Sequence, residues 1–218
     1  MLVEWFSRTT ALLLITVLSP LFFFISFFSL VFQGLPIFFF QERIGKDYSP
    51  FRIVKFRTMK NSNTGSLITT RDDKRVTLWG RGLRLFKLDE LPQLWNVLKG
   101  EMRFVGPRPE VEGFVQGSDF SFLTKIKPGL TDFSSIILRN ESKILQNLGG
   151  SVKYKDILPI KIRLAHLYAH HKSFSVDLVL VCCTFFAIVF PQLASMIVQK
   201  LFVQRYAPEI IPEIHQML

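Results

Sequence analysis

The sequence predicts an α+β protein in three parts. A membrane-embedded N-terminal helix covers residues 1–35, and a small, largely helical domain with a short β-hairpin covers 36–175. An apolar, membrane-associated helix and tail follow over 176–218. Three observations predict this plan. No charged residue occurs between Arg8 and Glu42. Two β-prone runs then flank a turn-rich hexapeptide, and from Gly80 onward apolar residues recur at helical spacing. The 218 residues suffice for one domain with a core of its own. Apolar residues make up 49% of the chain and Phe supplies 23 positions, yet the formal net charge is +10. A soluble domain rarely combines the two; a protein resting on anionic lipid and handling an anionic substrate does.

The densest apolar stretch, Ala11 to Phe32, would reach about 33 Å at roughly 1.5 Å per residue, enough to cross a bilayer core. It is too long for a cleavable signal, and no small-x-small site closes it. Ser19-Pro20 interrupts it, and proline kinks a helix by removing a hydrogen bond and crowding the preceding turn. A kinked spanning helix and a re-entrant one both meet these requirements. Pro36–Phe40 and Phe51–Arg57 then read as strands around Gly45–Pro50. Residues 60–75 read as polar loop. A helix is expected from Gly80 to Gly100, with Leu91, Leu94, Trp95 and Leu98 on one stripe and Gly100 ending it. Lys127-Pro128-Gly129-Leu130 reads as a turn and Ile157–His171 as an amphipathic helix. A second charge-free run, Leu178 to Gln199, is broken by Pro191; it spans a membrane or lies against one. Cys182 and Cys183 within it read as buried thiols in a reducing setting. His166 and His170 lack an acidic residue between them in metalloprotease fashion and read as an ordinary helix face rather than a zinc site.

The charge is concentrated: Gln41 to Glu110 holds 15 Lys/Arg against 8 Asp/Glu. Few aromatics interleave with it and no zinc-finger, helix-turn-helix or RNA-sheet signature accompanies it, so nucleic acid is not the expected partner. The most informative hexapeptide is Lys87-Leu88-Asp89-Glu90-Leu91-Pro92. Taken alone, Asp89 reads as a helix N-cap, Glu90 as a dipole partner and Pro92 as a first-turn proline. Its company points elsewhere. Arg71, Lys74, Arg75, Arg81, Arg84 and Lys87 precede the acids, and Gly106-Pro107-Arg108-Pro109 follows. Free N–H groups at a helix start attract phosphate. An ionised carboxylate facing that phosphate needs a neutralising cation, for which Mg²⁺ on hard oxygen ligands is the natural choice, with Asp89 and Glu90 as its candidate ligands. Arg108, between two prolines, suits bidentate contact with phosphate oxygens.

Together these residues resemble the monotopic phosphoglycosyl transferases, the bacterial sugar transferase family. The resemblance runs from about Arg8 to Phe186. It rests on Gln41-Glu42-Arg43-Ile44-Gly45, Lys55-Phe56-Arg57-Thr58-Met59, Arg75-Val76-Thr77 through Gly80 to Leu83-Arg84, and Leu88 to Leu94. It continues over Asn96 to Met102 and Val105-Gly106-Pro107-Arg108-Pro109. The resemblance implies a two-step reaction in which Asp89 attacks the β-phosphate of a UDP-sugar and releases UMP. Undecaprenyl phosphate, the polyprenyl acceptor, then takes the phosphosugar. Glu90 would hold Mg²⁺ or orient the nucleophile, and Lys55, Arg57, Arg75, Arg84 and Arg108 would bind substrate phosphate. It also implies a re-entrant N-terminal helix broken at Ser19-Pro20, membrane lipid as a partner, and a catalytic domain on the cytoplasmic face of the bacterial inner membrane. Many members carry Thr-Gly-Trp-x-Gln after the Pro-Gly turn. This chain reads Thr131-Asp132-Phe133-Ser134-Ser135 and then Arg139-Asn140-Glu141, which marks a variant branch, and Arg103 replaces a common serine. A homo-oligomer is compatible with the sequence. Two competing readings are a catalytically silent membrane scaffold for glycan assembly and a basic lipid-binding module; release of UMP from UDP-sugars separates both from the enzyme.

Overall fold

A computed structural model of the chain describes residues 2–60, 69, 73–147 and 154–217. The apolar N-terminus folds as two helices, α1 (Leu2–Val17) and α2 (Ser19–Gln33), bent by 61° across Leu18. Pro20 stands in the first turn of α2, where its missing N–H costs little, so the break falls where Ser19-Pro20 predicts it. Among the described residues no single helix is long and apolar enough to cross a membrane; the bent pair meets the length and composition requirements together.

A hairpin follows. Strand β1 (Phe38–Ile44) pairs antiparallel with β2 (Pro50–Phe56), Phe38 opposite Phe56 and Ile44 opposite Pro50. The first strand therefore runs four residues beyond the expected Pro36–Phe40, through Gln41-Glu42-Arg43-Ile44. The turn seats Asp47 and Tyr48 in the left-handed region at φ 54° and 58°.

The single helix expected over Gly80–Gly100 is in fact three pieces. Helix α3 (Leu78–Leu85) is opened by the Thr77 hydroxyl, which accepts from Gly80 N. Lys87 turns left-handed at φ 58°, and Leu88–Gln93 then winds as a 3₁₀ segment containing Pro92. Helix α4 (Leu94–Lys99) follows and ends at Gly100, φ 81°. The expected stripe dissolves with the helix: Trp95 is 50% exposed, while Leu94 and Val97 take the buried positions. Asn96 explains the tightness of this region. Its side-chain NH₂ donates to Arg52 O and Glu101, and its oxygen accepts from Val54 N, fastening α4 to β2.

Strand β3 (Arg103–Val105) pairs parallel with β4 (Gly129–Thr131), with helix α5 (Glu112–Val115) between them in sequence. Pro128-Gly129 is thus the entry to a strand rather than an isolated turn. Helices α6 (Phe133–Ile137), α7 (Glu141–Asn147), α8 (Tyr154–His171), α9 (Phe174–Val189) and α10 (Pro191–Val198) follow. A π turn, Gln199–Val203, leads to α11 (Gln204–Tyr206) and α12 (Ile211–Met217). The second apolar run is therefore two helices broken at Phe190. One face of α9, through Val176, Leu180, Cys183 and Ala187, belongs to the main core, and Phe174, Leu178, Phe185 and Val189 are exposed. Of the two thiols expected to be buried, Cys183 is and Cys182 is exposed, because adjacent residues on a helix face different ways.

Among the described residues, three apolar clusters hold the fold. The largest joins α6, α8, α9 and α10 around Phe133, Leu164, Tyr168, Leu180 and Val198. A second, Ala11, Ile53, Val97 and Met102, fixes α1 to β2 and α4. The third, Ile25, Phe56 and Leu83, fixes α2 to β2 and α3, with Leu21, Phe22, Leu88 and Leu91 packed against it. Strand β2 is the seam on which both N-terminal helices rest.

Candidate active site

Asp89 and Glu90 lie on the 3₁₀ segment, flanked by Leu88 and Leu91, whose side chains pack with α2. The N-cap reading of Asp89 does not hold. The residue before the segment is Lys87, no side chain caps it, and Asp89 Oδ1 is buried without a hydrogen-bond partner among the described residues. Asp89 is 7% exposed. Burial, and next the charge of Glu90, push its carboxyl above the usual carboxylate range, against the pull of Lys55, Lys87 and Arg84. A buried carboxylate oxygen without a donor is costly to keep and rare in folded proteins.

Glu90 is the opposite case. Its Oε1 accepts from Lys55 Nζ at 2.9 Å and Arg108 Nη2 at 2.5 Å, and its Oε2 accepts from Arg108 Nη1 at 3.3 Å. Burial alone would raise Glu90, but Arg108 and Lys55 hold it well below the ordinary range. Arg108 is raised in turn, first by the Glu90 charge. Lys55 is lowered by burial, with Glu90 opposing. It reaches Glu90 from β2, and Arg84 approaches from the last turn of α3, its Nε donating to Thr58 Oγ1 at 2.8 Å.

The Arg108 loop hangs from the parallel strand pair. Gly106 N donates to Thr131 O and Gly129 N to Pro107 O, both at 3.0 Å. The approach is so close that a Cβ on Gly129 would stand 2.2 Å from Gly106 N, which accounts for glycine at that position. Arg108 N donates to Asp132 Oδ2 at 3.3 Å, and Asp132 also caps α6 through Ser135 N. The departing Thr131–Ser135 segment is thus the support of the arginine loop. Beside Arg108 lies a small cleft lined by Asp132, Ser134, Lys161, Phe120 and Phe122.

Of the expected phosphate ligands, the structure brings Lys55, Arg84 and Arg108 to the two carboxylates. It places Arg57 and Arg75 in other bonds: Arg57 Nη2 donates to Gln33 O and Gly34 O at 2.5 and 2.7 Å, and Arg75 forks onto Asp73. Arg71 falls outside the described residues. Arg139 is not among the expected ligands, yet its guanidinium feels the Glu90 charge. Its only sequence signal is its place in the departing Arg139-Asn140-Glu141. Among the described residues, Lys55, Arg84, Lys87, Arg108 and Arg139 act on the two carboxylates, leaving a positive site suited to a polyanion. His166 forms an edge-on contact with Phe122 and pairs with Asp119. No cluster of three or more His, Cys, Asp or Glu that could hold a metal occurs among the described residues.

The profile of the bacterial sugar transferases matches residues 1–191. The chain belongs to that family. Sugar transferase relatives with assigned names include the UDP-N-acetylgalactosamine-undecaprenyl-phosphate N-acetylgalactosaminephosphotransferase of Aeromonas hydrophila, 39% identical over 47% of this chain and 26% of that protein. The exopolysaccharide production protein ExoY of Sinorhizobium fredii is 38% identical over 62% of this chain and 69% of its own length. The UDP-glucose:undecaprenyl-phosphate glucose-1-phosphate transferase of Klebsiella pneumoniae is 38% identical over 58% of this chain and 29% of its own. The match thus spans about a quarter of the Aeromonas transferase and over two thirds of ExoY.

Proposed function

We propose that the chain transfers a sugar 1-phosphate from a UDP-sugar to undecaprenyl phosphate, giving undecaprenyl diphosphate-sugar and UMP. The observation that carries this reading is the buried, partnerless Oδ1 of Asp89 inside a ring of cations. An oxygen kept free of donors retains its nucleophilicity, and the cations offset the repulsion between carboxylate and diphosphate. Asp89 attacks the sugar-bearing phosphorus; the bond from that phosphorus to the bridging oxygen breaks, and UMP leaves with the electron pair. An oxygen of the lipid phosphate then attacks the same phosphorus and the Asp89 carboxylate is released.

Glu90, with both oxygens given to Lys55 and Arg108, supports an orienting role: it holds two cations where the diphosphate would lie. Those same bonds make it a poor metal ligand. Asp89, a hard oxygen donor, would hold a Mg²⁺ ion through the carboxylate oxygen that does not attack phosphorus. Bound there, the ion would neutralise diphosphate charge.

The bent pair α1–α2 supports a re-entrant anchor. Near its start, Glu4 pairs with Lys127 at 2.7 Å and Arg8 bonds to Lys99 O; at its end, Gln33 Nε2 donates to Arg57 O at 3.0 Å. Both ends are thus tied to one domain, which can stand on only one side of a bilayer. The exposed Phe23, Phe24, Phe27 and Phe32 of α2 suit lipid. With Leu88 and Leu91 packed beside α2, the carboxylates would sit near the level where a lipid phosphate is presented. A nucleotide-sugar donor places that side in the cytoplasm.

The test is turnover. Purified protein with Mg²⁺ and polyprenyl phosphate, offered a panel of UDP-sugars, is expected to release UMP with at least one of them and to form a diphosphate-linked lipid sugar. UMP release from none, by protein shown to be folded, would contradict the reading.

A further inference from the structure

A second charged cluster lies behind the site, and the chemistry above does not use it. Glu110 is 6% exposed and Lys161 8%. Lys161 Nζ donates to Glu110 Oε1 at 2.6 Å and to Tyr154 OH at 2.7 Å, and Tyr154 OH donates to Glu110 Oε1 at 2.7 Å. Arg43 Nη1 donates to Pro109 O at 3.2 Å and to Glu110 Oε2 at 3.4 Å, and Glu141 stands 3.5 Å from Lys161. The main chain joins in, since Ile44 N donates to Glu110 O at 2.9 Å. Strand β1 and helix α8 therefore meet on one carboxylate two residues from Arg108, and Glu141 at the start of α7 reaches Lys161.

Proline fixes φ at Pro107 and Pro109 but anchors nothing by itself, so Arg108 points where the ends of its loop are held. One end hangs from β4 and Asp132, as described. The other ends in Glu110. Buried ion pairs are weak devices for stability, because desolvation offsets much of the attraction, but they tolerate only one geometry. We infer that Glu110, clamped between Arg43 and Lys161, is a positioning residue that sets the Arg108 guanidinium against Glu90 and the diphosphate. This rests on the reaction proposed above. The net charge of Arg43, Lys161, Glu110 and Glu141 is zero, so the clamp contributes orientation rather than attraction for the substrate.

The test is a double-mutant cycle on UMP release, with Glu110→Gln, Arg108→Lys and the pair. A residue acting through Arg108 loses its effect once Arg108 is impaired. Glu110→Gln alone is expected to lower kcat by between about tenfold and a hundredfold, the scale of a misplacement near 1 Å, with little change in KM. In the Arg108→Lys background it is expected to change kcat less than about twofold. Effects that multiply independently, or wild-type kinetics in Glu110→Gln, overturn the proposal. If Glu110→Gln gives no cooperative melt, Arg43→Lys takes its place in the same cycle: it keeps the cation and loses the planar group whose Nη1 donates to Pro109 O and Glu110 while Nη2 donates to Gln41 Oε1. A second readout does not depend on turnover. Nitrogen NMR of the Arg108 side chain should show guanidinium rotation slowed by the fork to Glu90 in the wild type and released in Glu110→Gln. Unchanged rotation overturns the proposal even if the protein proves to have another substrate, whereas an inactive wild type with released rotation faults only the reaction.

Discussion

At the residue scale, two adjacent carboxylates have opposite energetics. Asp89 is raised by burial and by Glu90, so the folded state binds its proton more tightly than the unfolded chain does. Stability from this group therefore falls as pH rises from the ordinary carboxylate pKa, about 3.9, through the raised folded value. Asp89→Asn is expected to melt higher than wild type at pH 8, with the gain shrinking toward pH 4, while turnover is lost. Melts at both pH values check this; a lower melting temperature at pH 8 would show that the charged Asp89 is favourably placed. Glu90 is depressed by Arg108 and Lys55, so its contribution is present above about pH 4.3 and is lost only as pH falls through the depressed folded value. Glu90→Gln leaves two part-buried cations short of a partner and is expected to cost about 1–3 kcal/mol at neutral pH, measured by denaturant unfolding. The charge pattern made both acids and Arg108 legible as a cluster, because so many cations crowded around one acidic pair repel one another unless an anion joins them. It did not tell apart the arginines that are held elsewhere. Arg57 and Arg75 look like Arg84 in sequence, and only the fold shows that the first bonds Gln33 and Gly34 and the second Asp73.

At the scale of elements, the hairpin and the broken N-terminal helix were readable because their signals are local: turn residues between β-prone runs, and a proline in an apolar run. The Gly80–Gly100 region was not. Its helical periodicity is real, but Lys87 in the left-handed region and Pro92 in a tighter turn cut it into α3, a 3₁₀ segment and α4. The parallel pair β3–β4 was invisible for another reason, since three-residue strands carry too little pattern and their partner lies more than twenty residues away. Likewise Glu110 and Lys161, 51 residues apart, meet only through α8. Gly80 tests the packing of these elements. A Cβ there would stand 2.1 Å from Thr58 O, a backbone atom, so α3 must move off the end of β2 to accept it. Gly80→Ala is expected to cost roughly 1–3 kcal/mol in a thermal or denaturant melt and to lower turnover by shifting Arg84. Unchanged stability would mean that α3 is looser on β2 than its contacts indicate.

At the scale of the whole molecule, both ends of the bent apolar pair are fastened to the domain that carries the carboxylates. After replacement of Cys182 and Cys183, single cysteines at Val3 and Lys60 are expected to react with an impermeant reagent from the same side of a membrane; reaction from opposite sides would show a spanning segment. Pro20→Ala should straighten the break and shift the labelling toward that second pattern. The arrangement joins a bent apolar helix pair, a positive site and one donor-free carboxylate oxygen, and the central claim is that this oxygen becomes phosphorylated by the sugar donor. Intact-protein mass spectrometry after incubation with a UDP-sugar that supports turnover, without lipid acceptor, tests it most directly. Wild type is expected to gain the mass of one sugar phosphate with release of one UMP, to lose it when polyprenyl phosphate is added, and Asp89→Asn to gain nothing. Turnover with acceptor but no added mass and no UMP without it, or a mass gain that persists in Asp89→Asn, would contradict the account.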